Sequence, residues 1–108
     1  MDDIINAIHS VIRGRIQDPN AYYYPLLWCE KEINILTSDL NACIRFISSE
    51  ASDEEMSWLS EIYEDLIDKT QSAELLQCIH DRVERIQDTK ERANLITWVE
   101  DAAAYLRT

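Results

Sequence analysis

The sequence predicts an all-α protein of about six antiparallel helices in a single domain. Its 108 residues include only one glycine and two prolines, all in the first quarter of the chain. The strongest breakers of regular structure are therefore absent from the remainder. Apolar residues recur at helical spacing, and no stretch alternates apolar and polar residues for long enough to predict a strand.

The first predicted helix runs from about Asp2 to Ile16, and Gly14 weakens its last turn. Its buried side is formed by Ile4, Ile5, Ile8, Val11, Ile12 and Ile16. The segment D-P-N-A-Y-Y-Y-P, Asp18 to Pro25, predicts a loop. At least one of its three tyrosines must be exposed, so Tyr22 and Tyr23 are secondary candidates for binding a partner, although a loop packed over the core explains them equally well.

The segment from Tyr24 to Ser48 fits either one long helix or two helices. Its apolar stripe keeps near-helical spacing throughout: Leu26, Cys29, Ile33, Leu36, Leu40, Ile44 and Ile47. The triplet Thr37-Ser38-Asp39, however, offers a stop followed by a new N-cap. We therefore predict helices over Tyr24–Leu36 and Asp39–Ser48. Trp28 lies off this stripe and is either an interface residue or packed against a neighbouring helix.

A central helix is predicted from the Ser52 cap towards Thr70. Ser52 and Glu55 have the spacing of a capping box, in which two side chains satisfy free amides of the first turn. Rotating 100° per residue puts a core face at Met56, Leu59, Tyr63, Leu66 and Ile67.

Two further helices are predicted, over Ala73–Gln87 after a cap at Thr70-Gln71-Ser72 and over Lys90–Leu106 after a break at Asp88-Thr89. Short connections make neighbouring helices antiparallel, stacked as hairpins in a small solenoid or an irregular bundle.

Negative charge is concentrated in the centre of the chain. Residues 46–68 contain eight carboxylates and no Lys or Arg, and so supply −8 of the formal net charge of −11. On the predicted central helix, a stripe about 80° wide carries Glu54, Trp58, Glu61, Asp65 and Asp68. One interpretation is a solvated acidic face with Trp58 at the edge of the core. The other is a docking surface that attracts a basic partner and holds it through Trp58.

Several function classes lack support in the sequence. No catalytic constellation, zinc or calcium motif, or glycine-rich phosphate loop is present, so we expect neither an enzyme nor a bound cofactor or metal. The net charge would repel nucleic acid and anionic membranes. Cys29, Cys43 and Cys78 are widely spaced and odd in number, which predicts reduced core thiols in a cytoplasmic protein.

The stretch D-E-E-M-S-W-L-S-E-I-Y-E-D-L-I-D-K-T-Q-S-A-E-L-L, Asp53 to Leu76, resembles small bacterial immunity proteins of contact-dependent growth inhibition and related polymorphic toxin systems. The matching residues are Trp58-Leu59-Ser60-Glu61 and Thr70-Gln71-Ser72, with a weaker match at Leu26-Leu27-Trp28 and Glu30. The chain departs from the family at R-I-Q-D-T-K, where the family often has an aromatic and basic loop.

This resemblance implies a cytoplasmic antidote that binds one cognate toxin domain and blocks its active site or substrate surface. Many such toxins are nucleases, which are basic because they hold a phosphate backbone. An alternative is a helical-repeat adaptor that holds a peptide or partner helix through Trp28 and the tyrosine loop. A third possibility is a subunit of an acidic helical oligomer.

Overall fold

A computed structural model describes residues 3–21 and 25–107. Over these ranges the chain is helical and forms no strand, which confirms the all-α class. The helices are α1 Asp3–Gln17, α2 Pro25–Thr37, α3 Leu40–Arg45, α4 Asp53–Leu59, α5 Tyr63–Thr70, α6 Ala73–Glu84 and α7 Thr89–Ala103. A π turn, Phe46–Glu50, follows α3, and a 3₁₀ turn, Ser60–Ile62, joins α4 to α5. None of the helices described is long and apolar enough to cross a membrane.

The helices pack as an irregular bundle around one core. α1 packs against α2, and α6 packs against α7. α5 contacts α2, α6 and α7, while α3 and the π turn lie on α6. The predicted face of the central segment is buried, since Met56, Leu59, Tyr63, Leu66 and Ile67 are all inaccessible to solvent.

Polar side chains cap the helices where the sequence predicts. Asp39 caps α3 by accepting from the amide of Ala42, so residues 25–48 form two helices rather than one. Ser52 and Glu55 form both bonds of the capping box, and Ser72 caps α6. The predicted start at Tyr24 lies outside the described residues. The ends predicted at Gln87 and Leu106 lie beyond the ends of α6 and α7, at Glu84 and Ala103, whereas the end predicted at Ser48 lies within the π turn that continues α3 to Glu50.

The central segment is not one continuous helix, contrary to the prediction. Three successive backbone carbonyls at the end of α4 accept side-chain donors: Met56 accepts from the Tyr63 hydroxyl at 2.7 Å, Ser57 from the Ser60 hydroxyl at 2.8 Å and Trp58 from Arg15 Nη1 at 3.1 Å. These bonds satisfy the helix end, and a 3₁₀ turn follows. A 3₁₀ turn rotates by 120° per residue, so its three residues add about 60° relative to a continuous helix. The predicted stripe is offset by that angle between Trp58, before the turn, and Asp65, after it.

Three positions predicted to face inward are exposed, one of them Leu40 at 36%, and the charged residues Arg15 and Glu32 are buried. Leu26 is 80% exposed at the first turn of α2, and Ile16 is 38% exposed near the end of α1. Arg15 and Glu32 are 2% and 0% exposed. The inner stripe of α2 consists of Cys29, Glu32 and Leu36, because Glu32 finds its partner, Arg15, inside the bundle.

Candidate functional site

Arg15, on α1, lies at the centre of a buried polar cluster that joins this helix to three other elements. Its Nη1 donates to Oε1 of Glu32 on α2 and to the carbonyl of Trp58 at the end of α4, both at 3.1 Å. Its Nη2 donates to Oε1 of Glu61 in the 3₁₀ turn at 2.7 Å. One guanidinium therefore holds two carboxylates and terminates a helix.

Glu32 is the most perturbed carboxyl of this cluster. Burial raises the pKa of Glu32 to about 7, against the opposing effect of Arg15, and the charge of Glu61 adds to the increase. Glu32 Oε2 and Arg15 Nε are buried without a hydrogen-bond partner. Near neutral pH, Glu32 is thus divided between its neutral and charged forms, while the half-exposed Glu61 compensates Arg15.

The side chain of Trp58 lies along the surface and does not project from it. It is partly buried against the core. The Arg15 guanidinium carbon lies 5.1 Å from the centre of its ring, a cation–π distance. One face of the indole is therefore occupied by a cation of the same chain.

Most carboxylates of the acidic segment have partners within the protein. Asp53 pairs with Arg82 at 2.7 Å, which lowers the pKa of Asp53. Asp68 pairs with Arg107 at 3.2 Å, and Glu61 with Arg15 at 2.7 Å. In addition, Glu55 lies 2.6 Å from His9 Nδ1, and Glu64 hydrogen-bonds the Tyr105 hydroxyl.

Four carboxylates of this segment make no ion pair with another described residue: Glu50, Glu54, Glu64 and Asp65, of which all but Glu64 are exposed. Their charge is uncompensated by a direct partner within the described chain.

Two adjoining clefts bring several of the acidic residues together. The first has a volume of about 510 Å³ and is lined in part by His9, Arg13, Glu50, Glu54 and Glu55. The second, of about 340 Å³, is lined in part by Asp18, Pro25, Trp58 and Glu61. Ile16 lines both clefts and so joins them. We call this joint surface, with Asp18, Glu50, Glu54 and Glu61 on it, the acidic face.

The structure thus places three of the five predicted binding residues on the acidic face. These are Glu54 in the first cleft and Trp58 and Glu61 in the second. Asp65 and Asp68 line neither cleft. Asp65 acts electrostatically on both Cys29 and Tyr105, which places it between α2 and the end of the chain, and Asp68 is held by Arg107.

No protein-family model, curated protein or solved structure matches this chain.

The secondary candidates are only partly described. Tyr22 and Tyr23 lie outside the described residues. Trp28 packs against α1, where its ring lies 3.0 Å from the position that a Cβ on Gly14 would take. Its indole N–H donates to Asp18 at 2.9 Å, and Lys31 Nζ lies 4.9 Å from its ring centre. Of the two sequence interpretations, Trp28 fits packing against a neighbouring helix.

The cysteines and acidic groups do not assemble a reactive or metal-binding centre within the described residues. No group of three His, Cys, Asp or Glu side chains there is arranged to hold a metal ion. Burial raises the pKa of Cys29 to about 11 and that of Cys43 to about 12. Both thiols remain protonated at neutral pH and are poor nucleophiles.

The sequence interpretation missed Arg15, Glu32 and Asp18 as parts of the site. A signal for the first two is present in the spacing. Arg15 follows Ile8 and Ile12 by seven and three residues, and Glu32 lies between Cys29 and Leu36, so both fall on buried faces. A base on one such face and an acid on the next predict a buried ion pair. Asp18 carries no comparable signal.

Proposed function

We propose that the protein is an immunity-type inhibitor that binds and neutralises a basic toxin domain, a nuclease, by covering its active site or substrate surface with the acidic face. The observation that carries the proposal is the pair of adjoining clefts, the first of which is lined by two exposed carboxylates without an ion-pair partner in the described chain, Glu50 and Glu54. The net charge of −11 acts in the same direction.

Electrostatics gives this face two roles. At a distance, it steers a cationic partner towards the clefts and accelerates association to about 10⁸ M⁻¹s⁻¹ or more at low salt. In contact, its carboxylates take the place of the phosphates that a nuclease binds. An acidic inhibitor thereby competes with the polyanionic substrate for the same Lys and Arg side chains.

Partner residues meet two kinds of carboxylate on the acidic face. Glu50 and Glu54 are exposed charges of the first cleft, and such charges mainly affect the association rate. Glu61 is fixed by Arg15 and lies beside Trp58, so it suits a buried central contact.

The test uses the C-terminal domain of the protein encoded by the reading frame immediately upstream. We expect the full chain to bind that domain and to block its toxicity and its cleavage of nucleic acid. Glu50→Lys/Glu54→Lys should weaken binding by about tenfold or more, or about 1.4 kcal/mol. The matched control, Glu74→Lys/Asp101→Lys, changes the same charge at exposed positions on α6 and α7, outside both clefts.

If the two double variants lost the same binding affinity, the acidic face would not be the surface that binds the partner. Failure of the unmodified chain to bind or protect would refute the inhibitor itself. Asp65→Lys tests separately whether the interface extends onto α5. Glu61→Lys is unsuitable, because an ammonium group beside Arg15 would disturb the fold as well as the surface.

A second candidate function, a helical adaptor, is favoured by one observation. Leu26 and Leu27 are 80% and 66% exposed side by side at the start of α2. Adjacent exposed leucines suit a partner's apolar face. Binding that is insensitive to salt would favour this adaptor, whereas strong loss at high salt would favour the inhibitor.

A further inference from the structure

The second cleft has the size and lining of a socket for one side chain. Its volume of about 340 Å³ lies near the lower end of the roughly 300–1,000 Å³ range of small-molecule sites. Ile16, Pro19, Pro25 and Trp58 supply apolar walls. Such a cleft suits an aliphatic stem better than a cofactor.

Arg15, Asp18 and Glu61 are the charged residues that line this cleft, so its lining carries one net negative charge, partly fixed in position. Arg15 orients Glu61 through its Oε1, and the other oxygen, Oε2, has only the weak Cys29 thiol donor, at 3.9 Å. Asp18 also lines the cleft, held by the Asn20 amide and the Trp28 indole, which lower the pKa of Asp18. Glu61 therefore presents a pre-oriented acceptor, and little ordering is required when a donor arrives.

The positive charge of Arg15 does not cancel this acceptor. Arg15 is already paired with the carboxyl groups of Glu32 and Glu61, and Asp18 adds a further negative charge to the lining of the cleft. Arg15 itself is 2% exposed and donates to three oxygens. The Glu61 side chain is 47% exposed and Arg15 only 2%, so Glu61 is the more accessible of the two charges.

We propose that the second cleft receives one Lys or Arg side chain of the partner protein, with its charged head at Glu61 and Asp18 and its stem along Ile16, Pro25 and Trp58. The exposed Leu26 and Leu27, which directly follow Pro25, support an apolar neighbour of that side chain. The partner's contact segment is therefore a base flanked by apolar residues. This inference rests on the proposed inhibitor function for the identity of the partner, but not for the chemistry of the cleft.

The cleft can be tested without the toxin, by titrating the isotope-labelled full chain with the peptide acetyl-Leu-Ala-Arg-Ala-Leu-amide and recording backbone and indole N–H signals. We expect saturable shifts at the Trp58 indole and the Glu61 amide, with a dissociation constant of about 1 mM. The same peptide with citrulline, a neutral isostere of arginine, should bind at least about tenfold more weakly. Shifts that are absent, that avoid both residues, or that are equal for the two peptides would overturn the proposal.

A charge-neutral variant isolates the role of Glu61. Glu61→Gln retains an oxygen that can accept from Arg15 but removes the charge offered to the peptide. We expect peptide affinity to fall at least about fivefold while the helical signal in circular dichroism is retained. Glu74→Gln, an exposed change outside the cleft, should leave affinity unchanged. Unchanged affinity in Glu61→Gln would assign the peptide to another surface.

The leucine pair has its own control. Leu26→Ser/Leu27→Ser should weaken the peptide about threefold or more without lowering stability, since both side chains are already exposed. Leu40→Ser, at an exposed leucine that begins α3 and does not line the cleft, should have no effect on binding. Equal effects from the two changes would remove the leucine pair from the contact.

The outcomes separate this inference from the proposed function. If the chain neutralises the upstream-encoded domain but the arginine peptide leaves Trp58 and Glu61 unshifted, the socket is refuted and the inhibitor stands. If the peptide occupies the cleft but that domain is neither bound nor inhibited, the socket stands and the inhibitor is refuted.

Discussion

Arg15 is a buried cation on which two carboxylates from different elements converge. Glu32 lies fully inside the bundle, whereas the side chain of Glu61 is 47% exposed. Desolvating a charge is costly, and only its partners offset that cost. The same guanidinium donates to the Trp58 carbonyl and so terminates α4. Packing of α1, α2 and the 3₁₀ turn is thus coupled through one side chain.

The loss of Arg15 should therefore lower the free energy of unfolding by more than the loss of its packing contacts alone. We expect Arg15→Met to lower the free energy of unfolding by about 3–5 kcal/mol, because Glu32 is left buried without its partner. The double variant Arg15→Met/Glu32→Met should lose much less than the two single variants combined. Urea denaturation followed by circular dichroism measures all three. Additive losses would show that the buried pair is not coupled.

Glu32 should also make stability depend on pH. The pKa of Glu32 is about 7 in the folded protein, against an ordinary value of 4.5, so the folded state binds more protons between these values. The stability contributed by Glu32 is fully present below about pH 4.5 and is lost as the pH rises through about 7. The whole effect amounts to about 3 kcal/mol at most.

The measurement compares the unfolding free energies of the unmodified protein and Glu32→Gln from about pH 4.5 to pH 8. Other titrating groups largely cancel in the difference between the two proteins. We expect the unmodified protein to lose about 2–3 kcal/mol relative to the variant over this range. A difference that stays constant with pH would show that Glu32 titrates as an ordinary carboxyl.

At the scale of helices and turns, the features that depend on neighbouring residues were predictable from the sequence, and those that depend on distant residues were not. The caps at Asp39, Ser52 and Ser72 depend on residues within three positions, so the sequence was sufficient to place them. The break after α4 depends partly on Arg15, 43 residues away from the Trp58 carbonyl. A helical repeat alone cannot reveal such a donor. The exposure of Leu26 was missed for a similar reason, since spacing alone does not show where the first turn of α2 meets solvent.

The packing of α1 on α2 gives a prediction at Gly14. Replacing glycine by alanine in a helix interior ordinarily stabilises by about 1 kcal/mol. Here the new Cβ would lie 3.0 Å from Trp28 Cη2 and 3.2 Å from Cζ3. The indole must shift, which disturbs its hydrogen bond to Asp18. We expect Gly14→Ala to destabilise the protein by about 1–3 kcal/mol, as overpacking does.

Thermal unfolding and tryptophan fluorescence measure this effect. Asn6→Ala, an exposed position of the same helix, is the matched control and should be neutral or slightly stabilising. A stabilised Gly14→Ala with unchanged fluorescence would show that the two helices separate easily at this contact.

At the scale of the whole molecule, the distribution of charge was predictable only in part. The sequence shows that residues 46–68 contain no base, and five of their eight carboxylates nonetheless find partners, including Arg15, Arg82 and Arg107 from elsewhere in the chain. The acidic face also contains residues from outside this acidic segment, because Ile16 lies on α1 and Asp18 lies in the loop that follows α1. Folding, not the linear run of acids, decides which charges remain for a partner.

Salt dependence tests whether those remaining charges govern binding. The Debye length falls from about 10 Å at 0.1 M salt to about 3 Å at 1 M, so steering by exposed carboxylates such as Glu50 and Glu54 weakens steeply. We expect the association rate with the upstream-encoded domain, measured by stopped flow, to fall at least about tenfold between these salt concentrations, with a much smaller change in dissociation rate. Glu50→Lys/Glu54→Lys should flatten this salt dependence. Leu26→Ser/Leu27→Ser should mainly increase the dissociation rate and leave the salt dependence of the association rate unchanged. An association rate independent of salt in the unmodified protein would contradict electrostatic steering and favour the apolar adaptor.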